Sequence, residues 1–226
     1  MPGPVWDHDD PADSQRVIHN IDRLVWSLAG QARGRQVPSL AVVRRWHAAC
    51  YAGCTLPIPG YAGRFRGDSR VPELVGYEVG VGALQTDGMP YRVGVPSADV
   101  RAAVRRLLTQ IRSAVRVLDP QVPAGHRPTA QAELETVASL AAAVHGEWIR
   151  IHPYANGNGR TARLWAAWVA LRYGLPVFVR VKPRPADADY AISSRMSMGR
   201  PPDFQGDHRA AGLVFADMLA RAVNGR

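Results

Sequence analysis

Apolar side chains recur every three or four residues over most of the chain, which is the spacing that buries one face of an α-helix. In the first such stretch the apolar positions include Val17, Ile21 and Leu24, with polar residues between them. Gly and Pro residues separate the stretches and set their ends. The pattern predicts six helices, at about residues 14–31, 40–51, 100–115, 134–148, 158–173 and 208–223.

Residues 75–95 follow a different pattern. From Val75 to Val81 every second residue is Val or Tyr, and the residues between are Gly or Glu. This alternation is the period of a β-strand. Asp87-Gly88 supplies the residues of a tight turn, and the alternation resumes after it. The sequence therefore predicts a β-hairpin near residues 75–95, whose glycines leave the backbone edge open to another chain.

The length of 226 residues fits one domain of ordinary size. Residues 1–13 are rich in Pro and Asp and predict a loose N-terminal extension, followed by a single domain over residues 14–226. The predicted fold class is mainly α with one hairpin. The chain has no run of about 18 apolar residues, and its acidic N-terminus lacks the apolar stretch of a secretory signal. We therefore expect no membrane association and a cytoplasmic location.

The chain is basic, with 28 Lys and Arg residues against 19 Asp and Glu residues and a net charge of +9. Lys182 is the only lysine, and the arginines are spread along the chain without a dense basic tail. This distribution disfavours nucleic-acid binding as the main function. Cys50 and Cys54, with one histidine nearby, are too few for the usual four-ligand zinc site. They are predicted to be reduced thiols.

The segment HPYANGNGRTAR, residues 152–163, joins two predicted helices and carries the candidate chemistry. Glycines on either side of Asn158 let backbone N–H groups turn toward one anion, at which the next helix directs its positive dipole end. Arg160 and Arg163 are three residues apart and can share one helix face, and guanidinium groups fit phosphate oxygens. A histidine imidazole has an ordinary pKa near neutral, so His152 is a candidate to accept a proton from an attacking hydroxyl.

This segment resembles the motif of the Fic family, His-Pro-Phe-x-(Asp/Glu)-Gly-Asn-Gly-Arg-x-x-Arg. Tyr154 replaces the Phe, and the matching residues are His152, Pro153, Gly157, Asn158, Gly159, Arg160 and Arg163. His145 lies where Fic proteins often carry a further histidine, and we expect it to be a packing residue. Residues 61–66, YAGRFR, resemble the segment that leads into the family's flap, and the predicted hairpin takes the flap's place. The resemblance covers about residues 40–200 and implies a Fic-type helical bundle.

The resemblance implies a protein adenylyltransferase that moves AMP from ATP to a hydroxyl side chain of a target protein; a toxin-type effector is one form of this activity. His152 would be the general base. Tyr190 lies where family members often carry a Tyr near the nucleotide base, with packing as the alternative. The target would pair with the flap by strand addition. The phosphates would be held and neutralised by Gly157, Asn158, Gly159, Arg160 and Arg163.

Asn156 departs from the family motif, in which this position is acidic and holds magnesium. An amide oxygen can coordinate Mg²⁺ or Mn²⁺ but brings no charge, so we expect a weakly held metal. Three interpretations remain open. They are slower AMP transfer, a different phosphate-containing donor (another nucleotide, a phosphoryl or a phosphocholine donor), and a catalytically weak protein that binds nucleotide or a partner.

Many Fic proteins also carry an inhibitory (Ser/Thr)-x-x-x-Glu-(Gly/Asn) helix. The nearest segments here run from Ser69 to Leu74 and from Thr129 to Leu134, and neither completes that pattern. The resemblance therefore implies either an unrestrained enzyme or an antitoxin-like partner that supplies the glutamate.

Overall fold

The computed structural model describes residues 11–58, 60–84, 90–199 and 204–225. In these ranges the chain forms seven α-helices and one two-stranded antiparallel sheet, which confirms the predicted mainly α fold with a hairpin. The elements are α1 (Pro11–Arg33), α2 (Leu40–Cys50), β1 (Val79–Leu84), β2 (Pro90–Val93), α3 (Val100–Leu118), α4 (Gln131–Ile151), α5 (Asn158–Arg172), α6 (Ala188–Met198) and α7 (Arg209–Asn224).

The N-terminal helix begins earlier than the hydrophobic pattern predicts. The loose extension predicted for residues 1–13 falls mostly outside the described residues, and residues 11–13 form the first turn of α1. Asp13 is buried there, and its carboxylate accepts the backbone N–H of Thr55 at 2.6 Å. This hydrogen bond ties the start of α1 to the loop that follows α2.

The hydrophobic pattern does not predict α6. Ser193 and Ser197 face inward on this helix, whereas Ile192 and Met196 are exposed. Polar residues inside and apolar residues outside reverse the usual amphipathic pattern, so periodicity gives no helical signal here. Asp187 stabilises the start of α6 because its carboxylate accepts hydrogen bonds from the first backbone N–H groups.

The central helix is α5, which packs against α4 and α1 and is buried along almost its whole length. Alanines such as Ala162 and Ala166 let the neighbouring helices approach it closely. The ring of Trp165 lies 5.1 Å from that of Trp46 on α2 and 6.0 Å from that of Trp148 on α4. This packing fixes the N-terminus of α5, where the glycine-containing motif lies.

The predicted hairpin is present, with shorter strands than the 75–95 range of alternating residues. Val79 pairs with Val93, and the register shifts between Val81 and Leu84. The predicted Asp87-Gly88 turn lies outside the described residues. In the described part of the sheet β1 and β2 pair only with each other, so each strand has one open edge.

Arg66 connects the hairpin to the C-terminus of α4. Its side chain is fully buried, and Glu78 neutralises its charge at 2.7 Å. The Cβ of any other residue at Gly94, which has φ of +81°, would lie 2.5 Å from the Cβ of His152 and 2.8 Å from Arg66 Nη2. Arg66 donates hydrogen bonds to His152 O (2.8 Å), Tyr77 O (3.3 Å), Glu78 Oε2 (2.7 Å), Val95 O (2.8 Å) and Ile151 O (3.3 Å).

Two further features of the fold are the length of its helices and the state of its two cysteines. Within the described ranges, no helix is long and apolar enough to span a bilayer. Cys50 is a buried free thiol and Cys54 a partly exposed one. Burial raises the pKa of the Cys50 thiol to about 12, so this thiol is not a nucleophile at neutral pH.

We expect Arg66→Met to lower the free energy of unfolding by about 3–5 kcal/mol, because it leaves Glu78 and several carbonyl groups without their donor. Chemical denaturation monitored by circular dichroism measures this loss. Arg70→Met is the matched control, since Arg70 is exposed and pairs only with Asp68 among the described residues. Equal unfolding midpoints for the two variants would contradict the central role of Arg66.

Candidate active site

His152 follows the last residue of α4 in a left-handed conformation, with φ of 52° and ψ of 56°. This conformation is uncommon for a residue with a Cβ. The backbone of His152 is held on both sides, because its N–H donates to Trp148 O at 3.0 Å and its carbonyl accepts from Arg66. The αL turn at His152 ends the helix, and the ring stays close to the last turn of α4, where its Nδ1 contacts the carbonyl of Ile149.

The hydrogen bonds of the His152 ring define its tautomer. Nδ1 lies 3.1 Å from the carbonyl oxygen of Ile149, which can only accept, so Nδ1 carries the proton. Nε2 of the neutral ring then has a lone pair that can accept a proton. Burial and, to a smaller extent, the positive charge of Arg66 together lower the pKa of His152 to about 4. The ring is therefore neutral at physiological pH.

Asn158 holds the motif loop in shape through its side chain. Its Oδ1 accepts the N–H of Tyr154 at 2.8 Å, and its Nδ2 donates to the carbonyl of Tyr154 at 2.7 Å. The side chain of Asn158 is therefore committed to the loop, and the phosphate contact predicted for this residue stays a prediction that concerns its backbone N–H. Helix geometry leaves the first N–H groups of α5, at Asn158 and Gly159, without an intrahelical acceptor.

Residues outside the motif fix the loop from the α2 side. The carbonyl of Asn156 accepts from Tyr61 Oη at 2.7 Å and from His47 Nε2 at 3.0 Å. His47 Nδ1 accepts the N–H of Gly63 at 2.8 Å, so Nε2 carries the ring proton. Gly157 has φ of +80°, and a Cβ there would lie 3.1 Å from His47 Nε2.

The sequence interpretation assigned no role to His47 or Tyr61. His47 lies in an apolar helical segment and shows no signal of its own, whereas Tyr61 belongs to the segment that resembles the entry to the Fic flap. Burial lowers the pKa of His47 to about 3, so its ring is a neutral structural element. Both side chains position the loop.

The side chain of Asn156 does not offer a metal site. Its Oδ1 accepts the N–H of Gly157 at 2.5 Å and lies 3.2 Å from Arg160 Nη2. A cation on this oxygen would displace hydrogen bonds and lie next to a guanidinium group, and the neutral amide would not offset that repulsion. Among the described residues no group of three or more His, Cys, Asp or Glu could hold a metal ion. The expectation of Mg²⁺ or Mn²⁺ at Asn156 does not fit these donors.

The two motif arginines extend from α5 toward different neighbours, which corrects the expectation that they share one face. Arg160 Nη2 donates to Tyr51 Oη at 2.5 Å, and its guanidinium lies over the Tyr51 ring, on the α2 side. Arg163 Nε donates to the carbonyl of Val181 at 2.8 Å, and its Nη1 lies 3.2 Å from Tyr190 Oη, on the α6 side. A Cβ at Gly159 would lie 3.2 Å from Arg163 Nη1, so glycine lets this guanidinium approach the start of α5.

Tyr190 contributes to the site through Arg163. Its side chain is 2% exposed and stacks on Phe215, so its ring has no open face for a nucleotide base, and the predicted base contact is corrected to packing. Its hydroxyl accepts from Arg163 and lies 3.0 Å from His145 Nε2. Burial lowers the pKa of His145 to about 3, which supports the packing role expected for this histidine.

The other buried arginines of the described chain have a carboxylate partner, and Arg163 does not. Arg66 pairs with Glu78, and Arg172 pairs with Asp119 at 2.6 Å. In the described ranges no carboxylate pairs with Arg163, whose hydrogen-bond acceptors are a carbonyl and a hydroxyl. Burial lowers the pKa of Arg163, and the charges of Arg160 and Arg184 lower it further. A buried charge without a counter-ion is costly, so this position favours an anionic ligand.

Comparison with solved structures shows the same fold in Fic-domain proteins. A Fic-domain-containing signalling protein from Bacteroides thetaiotaomicron has a TM-score of 0.62 at 18% identity, over 92% of this chain and 67% of that chain. BepC, a VirB-translocated effector from Bartonella tribocorum with bound AMPPNP, has a TM-score of 0.53 at 14% identity, over 92% and 87% of the two chains. The N-terminal Fic domain of a Bep effector from Bartonella quintana gives 0.51 at 15% identity, over 90% and 82%.

These low identities support the fold alone. No curated protein sequence matches the chain significantly. The model of the Fic/DOC family matches residues 39–170, more than half of the chain, and this range includes α2, the hairpin, His152 and the whole motif loop. The chain therefore belongs to the Fic/DOC family.

Proposed function

We propose that this chain is a transferase that moves AMP from ATP to a hydroxyl side chain of a target protein. The observation that carries the proposal is the buried charge of Arg163, which has no carboxylate partner in the described ranges and lies beside the N-terminus of α5. The helix dipole and the first backbone N–H groups attract an anion to the same place. Phosphate groups of a nucleotide fit this combination.

His152 would act as the general base. The hydroxyl oxygen of the target attacks the α-phosphorus, the bond from that phosphorus to the pyrophosphate oxygen breaks, and the hydroxyl proton moves to His152 Nε2. The hydrogen bond from Nδ1 to Ile149 O supports proton transfer to Nε2, because it leaves the lone pair of the ring on Nε2. A neutral ring at physiological pH is ready to accept the proton.

The phosphate-binding groups would act mainly by position and charge. Backbone N–H groups at the start of α5 hold phosphate oxygens, and the guanidinium of Arg163 stabilises charge that develops on the transferred group and on pyrophosphate. Arg160 would act from the opposite side of the loop, where Tyr51 and Asn156 orient it.

The target protein would dock on the hairpin. An extended segment can add a strand to an open edge, because the backbone groups there have no partner within the sheet. Arg66 supports this assignment. It donates to the carbonyl of Tyr77, just before β1, to that of Val95, just after β2, and to the carbonyl of His152, so it links the base of the hairpin to His152. A hydroxyl presented by the docked segment would thus be held in register with the base.

A second candidate is transfer from another phosphate-containing donor. This candidate is favoured by residue 156, where the family motif has an acidic residue and this chain has Asn. The amide oxygen of Asn156 already accepts two hydrogen bonds. Both candidates use the same base and the same anion site, and they differ in the group that becomes attached to the target.

His152→Ala should abolish labelling of target proteins. The wild-type chain, incubated with α-³²P-labelled ATP and a lysate, should transfer label to protein, and loss of the base should reduce this by about 10²-fold or more. His19→Ala is the matched control, because His19 is an exposed histidine on α1. Equal labelling by both variants would contradict the role of His152. Label that appears only with a different donor would favour the second candidate.

The rate of transfer should stay nearly constant as the pH falls from 7 to about 5 and should decrease near pH 4. The physical reason is that burial and Arg66 disfavour the protonated ring, so the base form persists below its ordinary pKa near 6.5. Single-turnover rates over this pH range, with circular dichroism to verify folding, provide the measurement. A decrease centred near pH 6.5 would show that His152 is not the titrating base in this environment.

A further inference from the structure

The loop between α5 and α6 brings another arginine to the anion site. Its Val181 carbonyl accepts from Arg163 Nε at 2.8 Å, which attaches the loop directly to the buried guanidinium. Three residues further on, the guanidinium carbon of Arg184 lies 5.7 Å from the centroid of the Tyr190 ring. The hydroxyl of that ring is in turn 3.2 Å from Arg163 Nη1. Arg184 therefore lies next to the site although it is outside the motif of residues 152–163.

Arg184 and Arg163 place two positive charges close together, and neither has a carboxylate partner among the described residues. Arg184 is exposed, and the described part of the chain offers it no carboxylate ion pair. The charge of Arg184 also contributes to the lowered pKa of Arg163, as expected for two like charges that interact. The N-terminus of α5, which lies beside the guanidinium of Arg163, adds a partial positive charge of roughly half a unit.

This charge distribution fits a highly anionic ligand. A divalent ion bound to a triphosphate cancels part of the ligand's negative charge and normally needs one or two protein carboxylates as well. At this site Asn156 supplies no carboxylate, and its oxygen faces Gly157 and Arg160. Guanidinium groups can neutralise phosphate oxygens directly and form paired hydrogen bonds with them.

We propose that the site binds a nucleoside triphosphate without a divalent ion, and that Arg184 joins Arg163 in supplying the positive charge that a metal would otherwise provide. This inference rests on the proposed function, because it assumes a nucleotide donor bound beside Arg163 and the start of α5. It extends that function by assigning Arg184 to the phosphates of the donor and by making binding independent of metal.

The test is isothermal titration calorimetry of the full chain with AMPPNP, in EDTA and in excess Mg²⁺. The wild-type protein should bind AMPPNP in EDTA with a Kd within about threefold of the value in Mg²⁺. Arg184→Gln should raise the Kd in EDTA about tenfold, because one charge-assisted phosphate contact is lost. Excess Mg²⁺ should restore part of that affinity. Adenosine, which lacks phosphate, should bind wild type and Arg184→Gln equally.

Arg180→Gln is the matched control. Arg180 is an exposed arginine of the same loop, but it lines a surface cavity with Phe178 and Met218. Its substitution should change the Kd for AMPPNP by less than about twofold. Equal effects of the two substitutions, or wild-type binding that Mg²⁺ strengthens tenfold or more, would overturn the inference while leaving the proposed function intact. No wild-type binding of AMPPNP in either condition would contradict both.

Discussion

The buried guanidinium of Arg66 joins three parts of the chain that are distant in sequence. It donates to the carbonyls of Ile151 and His152, which the end of α4 leaves without intrahelical donors, and to carbonyls at both ends of the hairpin. Glu78 neutralises the charge, and its second oxygen accepts the N–H of Ser97. All five N–H groups of the Arg66 guanidinium donate hydrogen bonds. Because these groups lie in one plane, they set the distance between the hairpin and His152.

The same guanidinium also shapes the electrostatics of His152. Burial is the larger cause of the lowered pKa of this ring, and the positive charge of Arg66 adds to it. The Ile149 carbonyl works in the opposite direction by favouring the proton on Nδ1. The ring of His152 is thus kept neutral and in one tautomer, and one of the groups responsible, Arg66, also holds the hairpin in place. A shift of the hairpin that moved Arg66 would therefore alter both the position and the basicity of His152.

The sequence predicts the helices whose apolar residues are periodic, and it predicts the loop whose glycines and arginines follow the family motif. It does not predict α6, because Ser193 and Ser197 face inward and Ile192 and Met196 face outward. Spacing places Arg160 and Arg163 on one helix, but their directions depend on Tyr51 and Val181, which are distant in sequence. The role of His47 is likewise created by tertiary contacts with Gly63 and Asn156.

The motif loop is held by backbone contacts that do not require an acidic residue at position 156. The backbone of Asn156 is fixed by Tyr61, which accepts from its N–H and donates to its carbonyl, and by His47. The loop shape therefore does not depend on a charge at residue 156 or on a metal bound there. The first turn of α5 has the guanidinium of Arg163 beside it. The replacement removes the negative charge of the family's acidic residue from position 156, so under the proposed function the remaining cations would determine which anion the site accepts.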